Sequence, residues 1–234
     1  ALFNKVEDTA EAVSGIVAAK IVPSTIEFMD HASIRCSQQA NPMGIPENIE
    51  GLLLIEIDGS KDSIQALAEK IREVLVRFRA AEVKLTHDPV EADKLWQARR
   101  VVSQATYNLN PVKIAEDVVV PRSNIPKLIR FLEETGKRFD LPILSFGHAG
   151  DGNFHVSLMI KDTPEDYARA HDAVREIFAE TIRLGGTLSG EHGIGTSKAP
   201  YLSMELSPEV IDTMKKIKQL FDPNNILNPG KIFV

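Results

Sequence analysis

Residues 142–160 read Pro-Ile-Leu-Ser-Phe-Gly-His-Ala-Gly-Asp-Gly-Asn-Phe-His-Val-Ser-Leu-Met-Ile. Two apolar runs flank a turn-forming Gly-Asp-Gly, which predicts one strand over Pro142–Gly147, a tight turn, and a second strand over Phe154–Ile160. The glycines at 147, 150 and 152 argue against a helix through His148 and His155. A hairpin requires antiparallel pairing. The chain around it alternates strands and helices without strict strand-helix-strand order. The expected fold is therefore α+β, an antiparallel sheet with helices packed mainly on one face. A doubly wound parallel sheet is the alternative, and no G-x-G-x-x-G between a strand and a helix supports it.

The hairpin places His148 and His155 at the loop ends of its two arms. Neighbouring antiparallel strands stand about 5 Å apart, so two imidazoles there can converge on one ion. A second glycine-rich run, 185–195, reads Gly-Gly-Thr-Leu-Ser-Gly-Glu-His-Gly-Ile-Gly and carries Glu191 and His192. Glu191 is the expected third ligand. Two imidazoles and one carboxylate with open positions suit a divalent ion such as Zn²⁺, Mn²⁺ or Fe²⁺. His192 is left to move a proton. A single loop histidine would read as a residue with no common centre; the cluster reads as a site.

Outward from the hairpin, the pattern predicts helices over Asp8–Lys20, Met29–Ser37, about 60–78, a stretch beginning at Asp88-Pro89, one capped by Ser123, 163–184, and one opened by Ser207-Pro208. It predicts strands over Thr25–Phe28, Leu52–Ile57, Ala81–Leu85, Val112–Val120 and Thr187–Ser189. The helix after Asp88 carries Trp96, Arg99 and Ser103. A guanidinium grips a carboxylate in bidentate fashion, although an isolated helix arginine reads first as a solvated charge. Lys113 reads as an outward-facing strand lysine, and Ser157 shares the strand face of His155.

Composition narrows the function. A chain of 234 residues with 43% hydrophobic content can bury a large core. The net charge of −6 and the absence of a basic block disfavour nucleic acid or an anionic membrane as partner. No apolar run is long enough to span a bilayer. The single cysteine, Cys36, rules out an internal disulfide framework and suits a reducing, cytoplasmic setting.

Three motifs, GHAGDGNFH at 147–155, GGTLSGEHGIG at 185–195 with Lys198 after it, and FDPNNILNPGK at 221–231, resemble the C-terminal part of FAD-linked oxidases and dehydrogenases of D-2-hydroxy acids. The closest likeness is to the glycolate oxidase FAD subunit and D-lactate dehydrogenase branch, and the N-terminal run VEDTAEAVSGIVAAKIVPSTIEFMD resembles the same branch. The resemblance covers nearly the whole chain. It implies a sheet of roughly seven strands acting as the cap over a flavin. Residues 1–234 would be the C-terminal cap or substrate domain. The N-terminal FAD-binding domain is expected to be absent, since the chain begins at Ala1 already inside the family pattern.

The resemblance implies an enzyme that oxidises a small D-2-hydroxy acid to the 2-oxo acid, with hydride going to FAD. His148, His155 and Glu191 would hold the metal, and His192 would accept the hydroxyl proton. Arg99 in Trp-Gln-Ala-Arg would bind the substrate carboxylate with Lys113, and Ser103 would contact substrate. Ser157 stands where hydroxyglutarate-type members have an asparagine, a departure that disfavours that substrate. Asp117 would be structural, and Asn228 would lie in the segment that returns toward the flavin. The isolated chain is expected to hold no FAD and to be inactive. Its expected partners are the missing FAD-binding domain, other oxidase subunits, and a second copy joined through exposed apolar surface. Two other readings use the same residues: a stand-alone metal-dependent hydrolase, and a non-catalytic interaction module.

Overall fold

The computed structural model describes residues 1–233. The hairpin forms as read. Ile143–His148 (β6) and Asn153–Ile160 (β7) pair antiparallel, with Phe146 opposite His155 and His148 opposite Asn153. At the turn, Gly152 adopts φ +88, and a Cβ there would lie 2.1 Å from the carbonyl oxygen of Val120. Only glycine fits that conformation and that contact.

The other strands are Leu2–Phe3 (β1), Thr25–Asp30 (β2), Gly51–Glu56 (β3), Ala80–Glu82 (β4) and Val112–Val119 (β5). All seven join one sheet in the order β4-β1-β3-β2-β6-β7-β5. Each pairing is antiparallel. The hairpin therefore takes the fifth and sixth of the seven places, with only β5 between it and that edge of the sheet.

Helices cover both faces unequally. Val6–Ala18 (α1), Lys61–Arg77 (α3), Ile125–Phe139 (α5) and Pro164–Arg183 (α6) lie over one face. Their apolar stripes pack on Phe28, Leu53, Phe154, Val156 and Leu158 in the main core. His31–Ala40 (α2) and Pro89–Ala105 (α4) cover part of the other face. There Ile34 and Val102 meet Met29 and Phe146. Strand alternation follows from this division. On β2 and β7 the even positions feed the main core, while Glu27, Met29, His155 and Ser157 turn to the thinly covered face.

Several boundaries differ from the sequence reading for local reasons. β2 runs through Asp30, whose carboxylate then caps α2 by accepting from the Ser33 amide at 2.8 Å. Ser123 caps nothing: residues 122–124 form a 3-10 turn, and α5 starts at Ile125 with no side-chain cap. Thr187–Ser189 is no strand; Thr187 makes one isolated bridge to Val119. The two-residue β1 is too short to show a period. Pro208–Phe221 (α8) follows a short helix, Leu202–Glu205 (α7). α8 contains no buried residue.

Candidate active site

The site is built on the thinly covered face. His148 ends β6 and His155 is the third residue of β7, so they are diagonal rather than direct neighbours. Their ring centroids are 5.6 Å apart. The loop after α6 brings Glu191 to them. Its Oε1 lies 3.4 Å from His155 Nε2 and 4.0 Å from His148 Nε2. One ligand atom from each of the three residues lies within 4.8 Å of the others, a group able to hold a metal ion.

His192 follows Glu191 and stacks on His155, with centroids 5.2 Å apart and an interplanar angle of 13°. Its Nδ1 is 3.6 Å from Asp117 Oδ1. Burial holds the pKa of His155 below the ordinary imidazole value, reinforced by the positive charge of Arg99. His155 therefore favours the neutral form, which is the form that donates a lone pair to a metal. Its Nδ1 is buried without a hydrogen-bond partner among the described residues.

Asp117 organises the loop. It pairs across the sheet with His155. Its Oδ2 accepts from the amides of Gly190, Glu191 and His192 at 2.8, 2.7 and 3.1 Å. Its Oδ1 meets the ammonium of Lys198. Lys198 also donates to the carbonyls of Asp117 at 2.9 Å and Leu188 at 2.7 Å. Burial acts to raise the Asp117 pKa, but Lys198 and the loop amides outweigh it and hold the carboxyl below its ordinary value.

Arg99 comes from α4 and lies over the Phe146 ring at 4.8 Å. Its Nε donates to Glu27 Oε2 at 2.6 Å. Glu27 Oε1 lies 2.5 Å from His148 Nδ1. Glu27 carries no site signal in sequence, because it is a single acid in a short apolar strand of the N-terminal run, far in sequence from the glycine-rich motifs. A cleft of about 560 Å³ opens here, lined by Glu27, Glu56, Trp96, Arg99, Arg100 and His148.

The remaining expected residues are not all gathered here. Lys113 donates to the Ser103 carbonyl at 2.8 Å and to its hydroxyl at 3.1 Å. It stands opposite Met159, four residues from the Asp117–His155 pair. That is about 13 Å of strand, so the Lys113–Ser103 pair lies along the sheet from the imidazoles. Ser157 faces the same side as His155, one alternation step away, and is buried. Asn228 is exposed in the tail, with φ +48. The tail touches the glycine loop elsewhere, where Ile232 N donates to Gly195 O at 2.7 Å.

The family described as "FAD linked oxidases, C-terminal domain" matches residues 1–232. The chain belongs to this family. Among curated relatives, it is 41% identical over 237 residues to "Glycolate oxidase subunit GlcD" of Bacillus subtilis, covering 100% of this chain and 50% of that protein. It is 30% identical over 233 residues to "D-lactate dehydrogenase [cytochrome], mitochondrial" of Arabidopsis thaliana, covering 98% of this chain and 41% of that protein. The chain thus spans about half the length of the curated relatives it matches. Its fold matches p-cresol methylhydroxylase with substrate bound at a TM-score of 0.69 and 13% identity, covering 100% of this chain and 52% of that one. It also matches 4-ethylphenol oxidase from Gulosibacter chungangensis at 0.67 and 14%, again with 100% and 52% covered. These likenesses show a shared fold, and the family match agrees with the α+β class expected from the sequence. Among the described residues no helix is long and apolar enough to cross a membrane.

Proposed function

We propose that this chain is the substrate- and cation-holding half of an FAD-dependent enzyme that oxidises a D-2-hydroxy acid of the glycolate or D-lactate type to the 2-oxo acid. The observation that carries the reading is the convergence of His148, His155 and Glu191 beside a cleft that also presents Arg99. The names of the relatives supply the substrate class.

The donor set fits a divalent metal. Ligands about 2.1 Å from a tetrahedral zinc stand about 3.4 Å from one another. The His155–Glu191 separation of 3.4 Å meets that spacing, and the wider His148–Glu191 separation of 4.0 Å closes with a small side-chain movement. His148, His155 and Glu191 would hold the ion, which as a Lewis acid would lower the pKa of a substrate hydroxyl. A flavin, where the protein holds one, supplies the acceptor for the hydride. The chain spans about half the length of its curated relatives, and the flavin site is assigned to the other half of such a protein.

The chain's own groups then divide the work. Arg99 retains its terminal nitrogens for a carboxylate, because only Nε is engaged by Glu27. His192 takes the hydroxyl proton at an imidazole nitrogen as the adjacent C–H bond gives up its hydride, and Asp117 offsets the positive charge that the ring gains. Lys113 on β5 and Ser103 on α4 bond to each other about 13 Å along the sheet from the imidazoles, too far for a small hydroxy acid to span, so they are not assigned a substrate contact. Asn228, on the exposed tail, faces the partner polypeptide. That partner is the FAD-binding domain, joined in the glycolate oxidase type by further subunits. The unburied α8, with Leu220 and Phe221 exposed, offers a surface for such a partner or for a second copy.

The test is elemental analysis of the purified chain, followed by anaerobic flavin bleaching in the full-length protein with glycolate, D-lactate and L-lactate. One bound cation per chain and bleaching by the first two support the reading. Ester or phosphate hydrolysis without flavin would favour the hydrolase alternative instead.

A further inference from the structure

Glu27 is a carboxylate buried at 2% exposure on β2, directly opposite His148 in the sheet register. Both of its oxygens are committed. Oε1 takes His148 Nδ1 at 2.5 Å and Oε2 takes Arg99 Nε at 2.6 Å. An imidazole whose Nδ1–H donates to a carboxylate keeps its lone pair on Nε2. Nε2 is the atom of His148 that faces Glu191. The same carboxylate holds the guanidinium plane of Arg99 against Phe146, 4.8 Å from its ring centroid. The two groups stand on opposite sides of one buried anion, and neither has an equivalent second partner among the described residues.

We propose that Glu27 is a positioning residue that sets both halves of the site at once: it fixes His148 in the tautomer that presents Nε2 to the cation, and it fixes the direction from which Arg99 meets a substrate carboxylate. This rests on the metal reading for its first consequence and on the cleft geometry for its second. One oxygen could not do both tasks. An amide at this position accepts at one end only, so Glu27→Gln cannot accept from both groups: if its oxygen stays on Arg99, its NH2 turns to His148 Nδ1, which must then accept and carry the ring proton on Nε2 instead.

The test compares the parent chain with Glu27→Gln and Glu56→Gln. Glu56 lines the same cleft without touching His148, so it controls for the loss of one negative charge. Zinc affinity is measured by chelator competition, and the His148 tautomer by ¹⁵N NMR of the zinc-free chain. Thermal melting reports on folding. The expected result is a 10- to 100-fold weaker zinc affinity for Glu27→Gln, the scale seen when a partner of a metal-ligating histidine is removed. Glu56→Gln should match the parent within about twofold. In the zinc-free parent the proton should sit on Nδ1 of His148, and Glu27→Gln should populate both tautomers. Unchanged zinc affinity in a folded Glu27→Gln overturns the proposal, as does a parent His148 protonated on Nε2. If the parent takes up no zinc, the metal reading fails, and the tautomer measurement still decides the role of Glu27.

Discussion

Asp117 and Lys198 form an ion pair inside the protein, with side chains 0% and 3% exposed, directly beneath the loop that carries Glu191 and His192. The carboxylate takes three consecutive loop amides and the ammonium takes two carbonyls as well. A buried pair contributes little over an apolar substitute, but breaking one strands a charge. Here the pair is also what orders a glycine-rich loop that has little packing of its own.

Lys198→Met should therefore destabilise the chain by about 3–5 kcal/mol, the usual cost of an orphaned buried charge. At about 2–4 °C per kcal/mol for a domain of this size, the thermal midpoint should fall by at least ~6 °C. Because the folded-state pKa of Asp117 is depressed, its contribution is present above the ordinary carboxylate range and is lost as pH falls below it. The acid limb of a stability–pH curve should flatten in the variant. Equal acid limbs in parent and variant would dismiss this role.

Glu116 should show the opposite sign. Burial pushes its carboxyl up to about 7, with Lys198 opposing and Asp117 adding to the shift. One of its oxygens, Oε2, has no hydrogen-bond partner among the described residues, the Lys198 ammonium standing 3.7 Å away. A raised acid pKa means the unfolded chain loses its proton first, so stability falls as pH rises from about 4.5 to 7 and stays low above that. Glu116→Gln should match the parent at pH 4 and be more stable by about 1–3 kcal/mol at pH 8. Urea unfolding at the two pH values measures it.

Gly152 and Gly44 both have positive φ, +88 and +70, yet only Gly152 faces backbone, while a Cβ on Gly44 would meet nothing within 4 Å. Gly44→Ala should cost about 1 kcal/mol from conformation alone. Gly152→Ala should cost at least ~3 kcal/mol, because the hairpin turn must also move away from Val120. Since His148 and His155 flank that turn, zinc uptake should fall with it. Similar melting curves for the two variants would refute the distinction.

His192 and Arg99 should separate kinetically in the full-length protein. His192→Ala should lower kcat by about 10²–10⁴ while leaving the bound cation in place, as expected for a proton acceptor that is not a ligand. Arg99→Lys should mainly raise KM for the hydroxy acid, because an ammonium cannot keep both the Glu27 contact and a bidentate grip on substrate. Loss of metal from His192→Ala would reassign that residue as a ligand.

The local signals in the chain were enough for the hairpin, the antiparallel class and most helices. Gly-Asp-Gly between two apolar runs permits few alternatives, and Ser60, Asp88, Thr163 and Ser207 each cap the helix expected after them. Motif resemblance, which depends on residue order alone, also indicated the family. Boundaries failed where tertiary partners overrode local preference: Ser123 lost its cap to a 3-10 turn, and Thr187 met a single strand residue rather than a ladder.

What the sequence by itself determined was which residues could act and the faces they would occupy, because strand alternation and turn chemistry are properties of near neighbours. Tertiary structure decided which of them meet. Glu27 joins His148 and Arg99 across 121 and 72 positions of chain. Asp117 reaches Glu191 across 74, while Lys113 finds Ser103 instead of the histidines. Such pairings depend on sheet order and register, and these are set by the packing of the whole core rather than by any stretch of it.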